Sequence, residues 1–157
     1  MAFVSAELME RTWRKVAAFD RHQIIRLQKT HQKAQKPLAI FVYNSAEHVR
    51  EEAGGVLFWV FHVVLEAFRH AEPRPARVSK RQIDNTLAIH ASVRHPSSQH
   101  HGQAMEEIPT SEPHAMEYAF EALKEVDDPA LTSEEVEGFL RTLSITVESL
   151  HAACRRN

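Results

Sequence analysis

The stretch PLAIFVYNSAEHVREEAGGVLFWVFHVVLEAFRHA, residues 37–71, decides the fold. Its apolar and small positions recur at spacings of three and four, the period of a helix buried against its neighbours. These positions are Leu38, Val42, Ser45, Val49, Ala53, Val56, Val60, Val63 and Ala67. From Val56 to Leu65 every residue except His62 is apolar, so the helix must be covered on all sides. The pattern predicts one long helix over about 37–71, at the centre of a bundle or in the seam of an oligomer.

The length of this predicted helix suggests an oligomer. At 1.5 Å per residue it would extend roughly 50 Å, which is longer than a small bundle. A protruding apolar end needs a cover, and a second copy of the chain is the simplest one. We therefore predict a homodimer packed along this helix, with an interface that contains Val56, Trp59, Val60 and Val63.

The same stretch is too short to cross a membrane. Residues 53–65 form a run of 13 residues without a charge, whereas about 20 are needed. The first residues, MAFVSAELMERTW, lack the basic and apolar segments of a secretory signal. The only cysteine, Cys154, excludes a disulfide within the chain. These features predict a cytoplasmic protein that does not enter the membrane.

Two adjacent glycines, Gly54 and Gly55, fall inside the predicted helix. Each costs about 1 kcal/mol relative to alanine in a helix interior, so another contact should compensate. A kink is one explanation and the close approach of another helix is the other. We favour close packing, because the apolar stripe keeps its register across the pair.

The N-terminal region has two possible arrangements. Ser5 is a suitable N-cap, and an apolar stripe continues from there to about Lys36, so we favour one long helix bent near Asp20. Alternatively, Asp20 and Gln23 form a capping box that begins a second helix.

Three further helices are predicted in the second half of the chain, over about 79–94, 112–126 and from 132 onward. Capping boxes begin the first and last of them, formed by Ser79 with Gln82 and by Thr132 with Glu135. Between them, residues 95–112 are rich in Ser, Pro, His and Gln and predict a flexible loop. No segment has strand alternation with hairpin turns. We therefore predict an all-α, antiparallel bundle of about five helices in a single domain, 1–157.

The net charge of −2 conceals an uneven distribution. Residues 1–36 contain eight Lys and Arg against three Asp and Glu, whereas residues 103–137 contain eleven acidic residues and one Lys. These segments could attract each other within the fold, or the basic one could bind an acidic protein partner. Nucleic-acid binding is disfavoured, because the basic residues go around most of the helix circumference and no nucleic-acid motif accompanies them.

Histidine is the one unusual feature of the composition, with 11 residues in 157. Three His and Glu pairs have spacings that place both side chains on one helix face: His48 with Glu52, His62 with Glu66, and Glu148 with His151. The apolar neighbours of His62 should desolvate its ring and favour the neutral form. These six residues are candidate ligands for a divalent transition metal. Each pair can equally be a surface pair or a packed core histidine.

No motif predicts an enzyme. The chain has no GxSxG elbow and no glycine-rich phosphate loop, and Cys154 lies on the apolar stripe of the last helix. We therefore predict a non-enzymatic helical protein that acts through self-association or protein binding and uses no cofactor. The alternative is a metal-binding bundle protein with His and Glu ligands.

Overall fold

The computed structural model describes residues 2–47, 49–72, 74, 77–92, 110–125 and 131–156. Within these ranges the chain forms seven helices and no strand, which confirms the all-α prediction there. The helices are α1 (Ala6–Ala17), α2 (Arg21–Ala34), α3 (Lys36–Ala46), α4 (Glu51–Ala71), α5 (Lys80–Ser92), α6 (Pro113–Lys124) and α7 (Ser133–Arg155).

The N-terminal region forms two helices, so the prediction of a single bent helix is wrong and the alternative is confirmed. Asp20 Oδ1 accepts a hydrogen bond from the Gln23 backbone N–H at 2.8 Å, and Gln23 Oε1 accepts one from the Asp20 N–H at 2.9 Å. This reciprocal cap satisfies two backbone groups that an uninterrupted helix would bond internally. Ser5 caps α1 as predicted, through a 3.1 Å bond from Leu8 N–H.

The predicted helix over 37–71 is also wrong as one unit, because α3 ends at Ala46 and a separate helix, α4, begins at Glu51. Two acidic residues, Glu51 and Glu52, lie in the first turn of α4, where the helix dipole favours negative charge. At the break, Arg50 Nε donates to Glu135 Oε2 at 3.1 Å and ties this corner to α7. The argument for a dimer from a protruding 50 Å helix therefore no longer holds.

The glycine pair lies near the start of α4 rather than in mid-helix. A Cβ added at Gly54 would meet Ala46 O at the end of α3 at 3.8 Å, which is an ordinary contact, and a Cβ at Gly55 would meet nothing within 4 Å. Close packing against another helix therefore does not require glycine at either position. The break between α3 and α4 comes before Gly54 and Gly55, so the glycines lie inside α4 and not at the break.

The core is built around α4, which packs against α1, α2, α3, α6 and α7. The apolar run after Val56 is covered mainly by the chain itself: Leu57, Val60, Phe61, Val63 and Val64 are all buried. The long helix α7 contributes the other large set, and the predicted packing of Cys154 in the core is confirmed. No helix of the described residues combines the length and hydropathy needed to cross a bilayer.

Both predicted capping boxes in the second half form. Gln82 N–H donates to Ser79 Oγ at 3.2 Å, and Glu135 N–H donates to Thr132 Oγ1 at 3.2 Å. Most of the loop predicted over 95–112 lies outside the described residues. Its last part, 110–112, is fixed: Glu112 is completely buried, which contradicts a flexible loop there.

Candidate binding groove and the buried histidine networks

The first cluster of titratable residues joins α2 to α4. His31 Nδ1 lies 3.1 Å from His62 Nδ1, and His31 Nε2 lies 3.0 Å from Glu66 Oε2. The two imidazole rings are stacked with their planes 14° apart. On the other side of the carboxylate, His70 Nε2 lies 3.2 Å from Glu66 Oε1, and Arg69 Nη1 lies 3.6 Å from Oε2.

The protonation of this cluster follows from burial and from these contacts. The hydrogen bond from His31, with help from the positive charge of Arg69, lowers the pKa of Glu66 against the opposing effect of burial. Burial, and secondarily the nearby His31, lowers the pKa of His62 to about 4. The ionised Glu66 can only accept, so His31 Nε2–H donates to it, and the two Nδ1 atoms of His31 and His62 share one further hydrogen bond. His62 is thus neutral, as its apolar neighbours predict.

The Glu148 and His151 pair does not converge on a common point. Glu148 Oε1 accepts from the Ser111 backbone N–H at 2.7 Å, and its Oε2 accepts from Ser111 Oγ at 2.8 Å. His151 Nδ1 instead bonds Glu112 Oε1 at 2.8 Å. Each member of the pair therefore holds a different part of the 110–112 segment.

Glu112 is a structural centre that sequence reasoning missed. Its carboxylate, completely buried, accepts from the backbone N–H groups of Phe3 at 2.8 Å and Val4 at 3.0 Å. Together with His151 these donors satisfy a charge that would otherwise be costly to bury. The carboxylate thereby fixes the segment that leads into α1.

The five predicted metal ligands that the structure describes are not brought together at one point. His48 lies outside the described residues, and Glu52 is exposed at the start of α4. His62 and Glu66 belong to the first cluster, and Glu148 and His151 bind different groups near 110–112. Among the described residues, no group of three or more His, Cys, Asp or Glu has an arrangement that could hold a metal ion.

A groove of about 850 Å³ lies between α1 and α6, with the first half of α4 as its floor. Each helix presents to it one stripe of residues spaced three and four apart. The lining residues are Ala6, Met9, Glu10, Trp13 and Ala17 of α1; Glu52, Gly55, Val56 and Trp59 of α4; and His114, Glu117, Tyr118, Glu121, Ala122 and the following Glu125 of α6. We refer to this surface as the groove.

The groove combines an aromatic and aliphatic interior with acidic edges. Trp59 Nε1–H donates to Tyr118 Oη at 3.0 Å and so joins the floor to the α6 wall. Burial raises the pKa of Tyr118 to about 12, with a further contribution from the negative charge of Glu125. Trp13 is 36% exposed on the opposite wall. Large aromatic side chains that remain accessible in a concave surface are typical of binding sites.

The four residues predicted for a dimer interface divide into two pairs. Val56 and Trp59 line the groove, whereas Val60 and Val63 are completely buried within the chain itself. The contributions of α1 and α6 to the groove were not predicted, because the apolar stripe of a helix does not show which of its residues stay accessible. Comparisons with family models, curated proteins and solved structures gave no match to this chain.

Proposed function

We propose that this protein is a non-enzymatic binding protein whose groove receives a helix of another polypeptide. The observation that carries the proposal is the set of three stripes, one on each of α1, α4 and α6, that face a common groove. Stripes at spacings of three and four are the surfaces that helices present to one another when they pack. The groove therefore has the form of a site for one more helix, and helix-in-groove binding is a common mode of peptide recognition.

The dimensions support a short helix. The lining residues extend from Ala6 to Ala17 on one wall and from His114 to Glu125 on the other. At 1.5 Å per residue each wall is roughly 16 Å long, or about three helical turns. An amphipathic segment of about 12 residues would place three or four apolar side chains over Trp13, Val56 and Trp59.

The histidine networks support a metal or catalytic role less well. Ring nitrogens of His31, His62 and His151 are already engaged in hydrogen bonds to other side chains, and all three residues are buried. Their contacts join helices to each other and to the segment before α6. Removing one residue from such a network leaves its buried hydrogen-bond partner unsatisfied, and the main effect is a lower free energy of unfolding.

The test uses intrinsic fluorescence, because both tryptophans of the chain, Trp13 and Trp59, line the groove. The probes are designed amphipathic peptides of about 18 residues that share a leucine face and differ in their polar face. Binding of any of them in the groove should shift the tryptophan emission to shorter wavelength in a saturable way. Emission that none of the peptides changes would overturn the proposal.

A plugged variant tests the location. In Gly55→Leu the added side chain enters the groove from its floor, and its Cβ meets no other atom within 4 Å. The replacement also removes a helix glycine, so the fold should be stabilised by about 0.5–1 kcal/mol rather than lost. The matched control is Gly138→Leu on α7, which is equally unobstructed and lies outside the groove. Binding should weaken at least tenfold in the first variant and stay unchanged in the second; equal affinities would exclude the groove.

The competing proposal is self-association, in which a second copy of the chain occupies the groove, and the same protein samples can test it. A second copy of the chain in the groove would give a dimer by sedimentation in the absence of peptide, and Gly55→Leu would dissociate it. A monomer that binds peptide supports the proposal as stated.

A further inference from the structure

Resting on the proposed function of the groove, we infer that its partner is a basic amphipathic helix, whose apolar face enters between α1 and α6 and whose lysines and arginines meet the glutamates on the edges. The inference concerns the chemistry of the partner, which the shape of the groove alone does not specify.

The charges of the lining residues are all of one sign. Five of the described lining residues are glutamates and none is a lysine or arginine. Two cations lie at these edges and pair with two of the five glutamates: Arg14 Nη2 lies 2.8 Å from Glu10 Oε1 with its guanidinium over the Trp13 ring, and Lys124 Nζ lies 3.5 Å from Glu121 Oε1. Five negative and two positive charges leave the groove and its edges with a net charge of about −3. A groove lined by one sign of charge selects an oppositely charged partner and repels acidic ones.

The positions of the glutamates match the flanks of a docked helix. Glu117, Glu121 and Glu125 follow one another at intervals of four along the α6 wall and form a ridge of roughly 12 Å. Glu10 lies on the α1 wall and Glu52 at the end of the floor, so carboxylates border the groove on more than one side. A helix held by its apolar face presents the residues beside that face to these edges.

The interior favours the same partner. Trp13, Trp59 and Tyr118 offer aromatic surface at which the aliphatic stem of a lysine or arginine packs and its cation is attracted by the ring. The acidic edge also argues against nucleic acid and phosphorylated segments, because these would place phosphates beside an edge whose glutamates outnumber the cations paired with them. The observations thus favour a cationic polypeptide over an anionic one.

The experiment compares three peptides of about 18 residues with the same leucine face and with lysine, glutamine or glutamate on the polar face. Titration of the full chain should give the order lysine, then glutamine, then glutamate, with at least tenfold tighter binding of the lysine peptide at low salt. The preference should shrink as the ionic strength is raised to about 0.5 M, because exposed charge pairs are screened.

The triple variant Glu117→Gln, Glu121→Gln, Glu125→Gln assigns the preference to the α6 ridge. Three exposed charge pairs at about 0.5 kcal/mol each correspond to about tenfold in affinity, so the lysine peptide should bind about tenfold more weakly and the glutamine peptide unchanged. The control makes the same change of charge at three exposed residues outside the groove, with Glu47→Gln, Asp84→Asn and Glu134→Gln.

The outcomes separate the two proposals. Equal binding of lysine and glutamine peptides, or an equal loss in the control variant, would overturn the basic-helix inference and leave the groove as a binding site. Tighter binding of the glutamate peptide would also overturn the inference. Binding of none of the three peptides would overturn the proposed function itself.

Discussion

Acidification should destabilise this protein through the buried ring of His62. The pKa of the ring is lowered to about 4 in the folded chain, from an ordinary value of 6.5, and the residue is only 4% exposed. Between these two pH values the unfolded chain takes up a proton at this position and the folded chain does not. The stabilisation is therefore complete above pH 6.5 and is lost as the pH falls to about 4.

The size of the effect follows from the two pKa values. A difference of about 2.5 pH units at 1.36 kcal/mol per unit gives about 3 kcal/mol, which is a large share of the stability of a small domain. Glu66 acts at lower pH: its pKa lies below the ordinary 4.5, so its contribution is lost only as the pH falls below that value. As the pH falls from 6.5 to 4.5, the contribution of His62 therefore declines while that of Glu66 stays in place.

The assay is urea unfolding followed by circular dichroism at several pH values between 4 and 7.5, for the native chain and for His62→Gln. Glutamine retains a polar side chain toward His31 but does not titrate. The native chain should lose about 2–3 kcal/mol more than the variant over this range. His22→Gln, at an exposed position in α2, serves as the control and should follow the native curve. If the native chain and His62→Gln have parallel stability curves, the reasoning about the buried pair is refuted.

Three further predictions concern stability and are checked by the same urea unfolding at pH 7. Glu112→Gln should cost about 2 kcal/mol, because a buried amide –NH₂ would replace an acceptor of backbone N–H bonds. The control, Glu117→Gln at an exposed position, should change the stability by less than about 0.5 kcal/mol. Equal effects of the two substitutions would contradict the role of the buried carboxylate. Leu143→Ala should cost about 3 kcal/mol and Ile40→Ala, at a residue 49% exposed, far less; similar losses would place the core elsewhere. Thr132→Ala should cost about 1 kcal/mol by removing the N-cap of α7, and an unchanged midpoint would mean that water replaces the cap.

The parts of the fold that the sequence could predict are those that local interactions determine. The helix starts at Ser5, Ser79 and Thr132 are encoded in residues three positions apart, and periodicity identified the buried half of α4. The break between α3 and α4 was missed because the apolar stripe keeps its spacing across it. One contact that fixes the corner, Arg50 with Glu135, joins residues 85 positions apart, and no local pattern reports such a contact.

The groove and the buried clusters were harder to predict for a related reason. A lining residue such as Trp13 and a core residue such as Val16 both lie among the apolar positions of one helix, and only the tertiary arrangement decides which has a neighbour. Likewise, the spacing that suggested metal ligands at Glu148 and His151 correctly placed them on one helix. The spacing could not show that Glu148 would accept from Ser111 while His151 bonds to Glu112.

The hydrogen bonds from Phe3 and Val4 to Glu112 make the α1 wall of the groove depend on a distant part of the chain. Phe3 is bonded to a carboxylate 109 residues further on, so the segment that leads into α1 is fixed by a contact that no local folding step can make. Contacts of such long range form late and slow the folding reaction. Until α6 has docked, the α1 and α4 residues that line the groove have no opposite wall. The groove proposed for a partner helix is therefore completed by a late step of folding, and a partly folded chain does not present it.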